Sequence, residues 1–247
     1  MDSSSVKLFA PLGVVIGLIV FVVTFAVGAP LVAAAVAGVV LGVTIVVALF
    51  HQADALVLKG LRVYNADSRT QPRVLNVLDG LCDSHGFRKP AVVIIDDPAR
   101  NACAFGRRSH HGTLALTSGL LESLDRLQLE GVLARELTAL NAKSRPAATA
   151  AVSLRRFMPQ RMGDAVVQRV QGDERAVRDD FEAVRYTRYP PGLAAALATI
   201  DAGPSAVAGA NRAADHLWIV DPTDASSDER AAETWPVNLR VDALREL

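Results

Sequence analysis

Asp125-Arg126-Leu127-Gln128-Leu129-Glu130-Gly131-Val132-Leu133-Ala134-Arg135-Glu136-Leu137-Thr138-Ala139-Leu140-Asn141 is the stretch on which the reading of the chain turns. Leu129, Leu133, Leu137 and Leu140 recur at helical spacing, which predicts a helix that buries one apolar face. Arg135 and Ala139 stand four residues apart and so share a face of it, with Glu136 adjacent. An arginine on a helix that is otherwise bound for a core needs a carboxylate partner from elsewhere.

Upstream of this helix, Val74, Leu75, Val77, Leu78 and Leu81 give a helical face that stops before Gly86. Pro90 then opens Ala91-Val92-Val93-Ile94-Ile95, a β-branched run that reads as a buried strand. Further strands are expected over 102–105 and 113–117, joined by the polar loop Arg107-Arg108-Ser109-His110-His111. Downstream, 144–172 is polar and Arg-rich with Pro146 and Pro159, too short and too polar to cross a membrane. Helices are expected over about 175–188 and 192–200, followed by loops through 203–234 around the apolar Leu217-Trp218-Ile219-Val220. The class is α+β, mainly helical with a small sheet.

At the N-terminus, 8–27 and 31–50 lack any charged residue, and each stretch is long enough to span about 30 Å of hydrocarbon as a helix. Gly28-Ala29-Pro30 supplies a tight turn between them. A cleaved signal peptide is the alternative for the first stretch, but its apolar run is longer than a signal core and a second span follows at once. Lys7 precedes the hairpin while Lys59, Arg62, Arg69 and Arg73 follow it, so the positive-inside rule predicts a multi-pass protein of the plasma (inner) membrane with both termini cytoplasmic. Gly13, Gly17, Gly38 and Gly42 permit close helix contact. The expected organisation is a hairpin over 1–52, a juxtamembrane connector over 53–70 and one domain over 71–247.

The 247 residues carry 26 basic and 26 acidic side chains, so no net field calls for a nucleic-acid partner. Cys82 and Cys103 form no CxxC pair and read as buried thiols in a reducing compartment.

Several ordered segments resemble landmarks of the HtpX-like membrane zinc metallopeptidases, relatives of the CAAX prenyl proteases. They are Asn101-Ala102-Cys103-Ala104-Phe105-Gly106, Thr113 to Leu121, Leu129 to Leu137, Phe181-Glu182-Ala183, Tyr189-Pro190-Pro191-Gly192-Leu193 and His216 to Val220. The similarity runs over roughly 70–247 and implies a zincin-like domain. Active members carry HExxH, in which two histidines on one helical face hold zinc and the Glu activates its water. The corresponding positions here are Arg135-Glu136-Leu137-Thr138-Ala139, and the position of the third ligand, a Glu in a later helix, is Asp180, with Val184 where an Asp is usual. Both histidines are absent, Ala139 has no donor atom, and a guanidinium repels a dication.

The resemblance therefore implies a degenerate site at Arg135, Glu136, Ala139 and Asp180, with no metal and no cofactor expected. Glu136 reads either as a retained base or as a helix residue paired with an Arg. His110 and His111 read as rescue ligands or, more plainly, as exposed loop residues, and His85 and His216 as structural. By resemblance, Gly112, Thr113, Leu114, Ala115, Leu116 and Thr117 occupy the edge strand that holds an extended peptide beside the active helix. Arg135 is expected to bridge to Asp180 and to share Glu136. The expected function is that of a noncatalytic binding or scaffold subunit with a membrane-associated protein partner. The alternatives are an endopeptidase with non-standard ligands and a structural subunit of a larger membrane complex.

Overall fold

The computed structural model describes residues 3–108, 111–172, 174–223 and 235–247. It begins with helices α1 (Ser3–Ala26) and α2 (Leu31–Val57), antiparallel and joined through Gly28 at φ +93°. The glycines set how closely they pack, since a Cβ added to Gly38 would lie 2.5 Å from the Gly17 carbonyl oxygen and one on Gly42 would lie 2.7 Å from that of Gly13. The most apolar windows of the two helices are only 6% and 22% buried, unlike core helices of a folded domain.

Helix α2 runs past the expected end of the hairpin. Leu56 and Val57 lie in the core of the domain, so the end of α2, within the expected connector, packs with the fold. The expected connector also contains β1 (Val63–Asn65), which pairs antiparallel with β2 (Ala91–Ile95). Helix α3 (Pro72–His85) lies between them and ends on Gly86 in the left-handed conformation.

Strands β3 (Ala102–Arg108) and β4 (His111–Thr117) complete a four-stranded sheet of order β1-β2-β4-β3, in which β4 is parallel to β2 and antiparallel to β3. Alternation decides its two faces. Val92, Ile94, Leu114 and Leu116 point into one core while Val93, Ile95, Ala115 and Cys103 point into the other, so both faces are covered. The first core is closed by α3, α4 (Ser118–Ser123), α5 (Arg126–Asn141), α8 (Arg175–Thr187), α9 (Pro190–Asp201) and α10 (Val237–Arg245). The second is closed by the end of α2, by α6 (Arg145–Arg155) and by a 3-10 helix (Arg212–Leu217). Helix α7 (Gln160–Gln171) packs on α6.

This order corrects the expectation that Gly112, Thr113, Leu114, Ala115, Leu116 and Thr117 form an open edge. They belong to β4, whose residues 113–117 pair with β2 and whose residues 113–116 pair with β3, and Leu114 to Thr117 are buried. The outer strand on that side is β3, and its free groups are taken internally. Ile219 N donates to the Ala102 carbonyl at 2.9 Å, Arg145 Nη1 to the Ala104 carbonyl at 3.2 Å, and Gly106 N to Thr149 Oγ1 at 3.0 Å.

Candidate functional site

Helix α5 starts in a capping box, in which Asp125 accepts from Gln128 N and the Gln128 side chain accepts from Asp125 N. Gly131 lets α9 cross it closely, because a Cβ there would lie 2.9 Å from the Leu193 backbone. Helix α5 is thereby fixed between the sheet and the pair α8 and α9, and Arg135, Glu136 and Ala139 are fully buried.

The Arg135 guanidinium donates from Nη1 to Glu136 Oε1 and from Nε to Asp180 Oδ1, the latter at 3.1 Å. Asp180, on α8, also receives Arg240 of α10, with Nε to Oδ2 at 2.6 Å and Nη2 to Oδ1 at 2.9 Å. One carboxylate thus ties together three helices. Alongside it, Arg145 of α6 donates from Nε to the Ala139 carbonyl at 2.7 Å and lies 3.8 Å from Asp179, which Arg175 approaches to 3.7 Å. Four largely buried guanidinium groups face three carboxylates, and a fifth, the exposed Arg178, lies 4.0 Å from Asp179.

These charges perturb one another. Burial opposes the charge on Arg135, but Glu136 and Asp180 outweigh it and raise the guanidinium further above its ordinary value. Arg145 is lowered by burial. Arg175, at the rim of the cluster, is pulled down to about 9 by burial and then by Arg145 and Arg135. Cys103 lies beneath the cluster, where burial and then Glu136 push its thiol well up, and both cysteines are free.

The expected degenerate set of Arg135, Glu136, Ala139 and Asp180 is brought together. Asp179, Arg145, Arg175 and Arg240 belong to the same cluster and were not anticipated. Asp179 adjoins Asp180 in sequence, and Arg145 is followed by the small-residue run Pro146-Ala147-Ala148-Thr149-Ala150-Ala151, which are usable signals. Arg240 gives none, since it comes from a short helix 60 residues beyond its partner.

His110 lies outside the described residues, and of His111 only the backbone, in β4, is described. His85 packs against Tyr186 and Phe87 at ring centroid distances of 5.1 and 6.2 Å. His216 Nε2 lies 2.9 Å from the Ala148 carbonyl and its Nδ1 lies 3.0 Å from Arg155 Nη1. Those partners define a neutral imidazole with the proton on Nε2, a structural role. Glu182 faces solvent and pairs with Arg185 at 2.9 Å. Next to the cluster, a cavity of about 500 Å³ of mixed polar and apolar lining opens between the end of α5, α7 and α8. Gln171 Nε2 and Asp179 Oδ2, both from residues that line it, are buried without a hydrogen-bond partner among the described residues.

Comparison with known proteins gives first the class. A family profile described as Peptidase family M48, a class that is generally zinc-dependent, matches residues 68–189. The protease HtpX homologue of Dictyoglomus thermophilum is 30% identical over 230 residues, covering 79% of this chain and 76% of the relative. That of Tropheryma whipplei is 30% identical over 228 residues, with 78% of each chain covered. The chain belongs to peptidase family M48, among its HtpX-like members. The HtpX homologues are membrane proteins, and two apolar helices of spanning length stand at the N-terminus here. No solved structure matches the chain.

The donor set does not fit a zinc ion. Arg135 brings a fixed positive charge and no lone pair, and Ala139 brings a methyl group, while its carbonyl is engaged by Arg145. Asp180 commits both oxygens to guanidinium groups, which leaves Glu136 Oε2 as the one carboxylate oxygen of the Arg135 triad without a hydrogen bond among the described residues. Among the described residues, no group of three or more His, Cys, Asp and Glu side chains is placed to hold a metal.

Proposed function

We propose that this chain is a noncatalytic HtpX-like member that works as a binding or scaffold subunit. In this reading its hairpin crosses the plasma membrane twice, and the domain, zincin-like in descent, faces the cytoplasm and holds a membrane-associated protein partner. The observation that carries the reading is the burial of Arg135 between Glu136 and Asp180, with Arg240 on the far side of Asp180. A guanidinium supplies there the positive charge that a metal supplies in an active peptidase. Helix-to-helix bridging then persists without zinc, and so can a surface that binds protein.

The decisive experiment purifies the full chain in mild detergent from zinc-supplemented cells. It measures bound zinc and casein hydrolysis, and identifies copurifying proteins by mass spectrometry. The expected result is zinc far below one per chain, no hydrolysis and a membrane protein retained. One zinc per chain, lost together with hydrolysis in Glu136→Gln, would overturn the reading. It would favour the second one, an endopeptidase with non-standard ligands, for which the unbonded Glu136 Oε2 is the supporting observation. For orientation, protease added to intact cells should spare residues 51–247 and should cut them in inverted vesicles.

A further inference from the structure

The exposed apolar residues outside the hairpin include a pair at the corner between α6 and α7. Phe157 is 73% exposed and Met162 58% exposed, and they flank Met158 and Pro159. The neighbouring positions fix where this corner lies. Leu154 and Met158 belong to a cluster with Phe9 and Phe50 that also takes in Leu12 and Val46. Leu12 and Val46 each lie four residues, about one turn, inside the charge-free stretches 8–27 and 31–50. The end of α6 therefore packs against the hairpin at a depth where lipid surrounds it. A second tie holds the height, since Ser153 Oγ donates to the Leu49 carbonyl at 2.6 Å.

Charge at the corner is complementary to an anionic surface. Arg155 is committed inward, to Asp164 at 2.6 Å and to Asp215 at 3.1 Å. Arg156 and Arg161 are exposed, and among the described residues neither pairs with a carboxylate. Two free guanidinium groups beside an exposed Phe and Met form the pattern of a segment resting in the headgroup region.

We infer that the α6–α7 corner is a membrane-docking surface, with Phe157 and Met162 entering the boundary between headgroups and acyl chains and with Arg156 and Arg161 on lipid phosphates. The occupant is the anionic bilayer that surrounds the hairpin. Such a contact would hold the domain at one tilt against the membrane instead of leaving it to pivot on two helices. The inference rests on the membrane reading of the hairpin, and the test separates the two.

The test places a single fluorescent cysteine label on the full chain, in a Cys82→Ala/Cys103→Ala background, and reconstitutes it in lipid nanodiscs. Labels at Leu18→Cys, Phe157→Cys and Leu239→Cys are quenched by lipids carrying a nitroxide, near the headgroup for 157 and 239 and midway along the acyl chain for 18, or by soluble iodide. Leu18 lies mid-span, and Leu239 is exposed on α10, whose principal contacts are with α9 and α8. Lipid quenching at 157 should exceed that at 239 at least about twofold, as for a side chain about 5–10 Å below the surface. It should also rise when phosphatidylglycerol is added to phosphatidylcholine discs, and that rise should vanish in Arg156→Gln/Arg161→Gln. Lipid quenching at 157 no greater than at 239, with 18 strongly quenched, would overturn the docking surface and leave the anchor standing. Protection of 157 from both quenchers would overturn it as well, in favour of cover by protein. Absence of lipid quenching at 18 would instead remove the membrane reading itself.

Discussion

Removing the carboxylate of Asp180 should be among the most damaging single changes in the domain. Asp180 is 1% exposed and accepts three hydrogen bonds from two guanidinium groups, those of Arg135 and Arg240, which are 0% and 2% exposed. Asp180→Ala leaves both cations buried, one with Glu136 alone and the other with only the Ile219 carbonyl at 3.0 Å. Breaking one buried pair costs about 3–5 kcal/mol, and here two share the acid, so the upper end applies. For a chain of this size that upper end is a fall in Tm of roughly 10–20 °C. Thermal unfolding in detergent, followed by near-ultraviolet circular dichroism, reads it directly. Asp180→Asn keeps an acceptor and should fall between Ala and the parent, which preserves the test if Asp180→Ala does not fold. Glu182→Ala, on the same helix but paired at the surface with Arg185, serves as the control and should change stability by under about 1 kcal/mol. If Asp180→Ala unfolds within a degree or two of Glu182→Ala, the cluster is wet and Arg135 does not hold α5 to α8.

Four further outcomes are expected. Burial lowers His216 below its ordinary 6.5, so the stability it contributes as a neutral ring is complete above that pH and is lost as pH falls below it; Tm against pH should show this drop, and His216→Asn should remove it. Burial would raise Asp215, but hydrogen bonds from His216 and Arg155 hold it at about 2 against an ordinary 3.8, so a separate loss belongs between roughly pH 4 and 2 and should disappear in Asp215→Asn. Arg175, crowded by Arg145 and Arg135, should be far more dispensable than Arg135: Arg175→Gln should cost under about 1 kcal/mol, against several for Arg135→Gln, in the same unfolding assay. Gly38→Leu should force α1 and α2 apart where Gly17 now meets Gly38, read as a longer distance between nitroxide labels on the two helices, with no change in domain unfolding.

What the sequence disclosed follows the range over which each feature is encoded. The hairpin, the buried β2 run and the apolar face of α5 are local patterns with a fixed period, and all three are present. The bridge from Arg135 to Asp180 was also readable, because a charged residue on a buried helical face demands a partner and the family pattern indicates which helix brings it. Strand order was not readable. Thr113-Leu114-Ala115-Leu116-Thr117 alternates as a half-buried edge strand would, yet its Ala and Thr positions face a second core built from α2, α6 and the 3-10 helix. Nothing within five residues can report a layer supplied from position 56 on one side and position 214 on the other.

Arg145 links the charge cluster to the outer edge of the sheet. Arg145 lies 3.8 Å from Asp179 in the charge cluster while it donates to the Ala104 carbonyl on the outer side of β3 and to the Ala139 carbonyl at the end of the HExxH-like positions. One side chain therefore closes the strand edge along which an extended peptide would pair and also packs the face that would present a metal. A peptide adding to β3 would have to displace both Arg145 and the Trp218–Ile219 segment, which bridges Cys103 and bonds Ala102. Freeing Arg145 would leave a buried guanidinium short of two carbonyls and an acid, a cost of several kcal/mol set against a few backbone hydrogen bonds worth about 1 kcal/mol each. On these magnitudes the closed edge wins. In the binding reading proposed above, a protein partner would engage outer surfaces, such as the cavity beside Gln171 and Tyr186, and not the edge of β3.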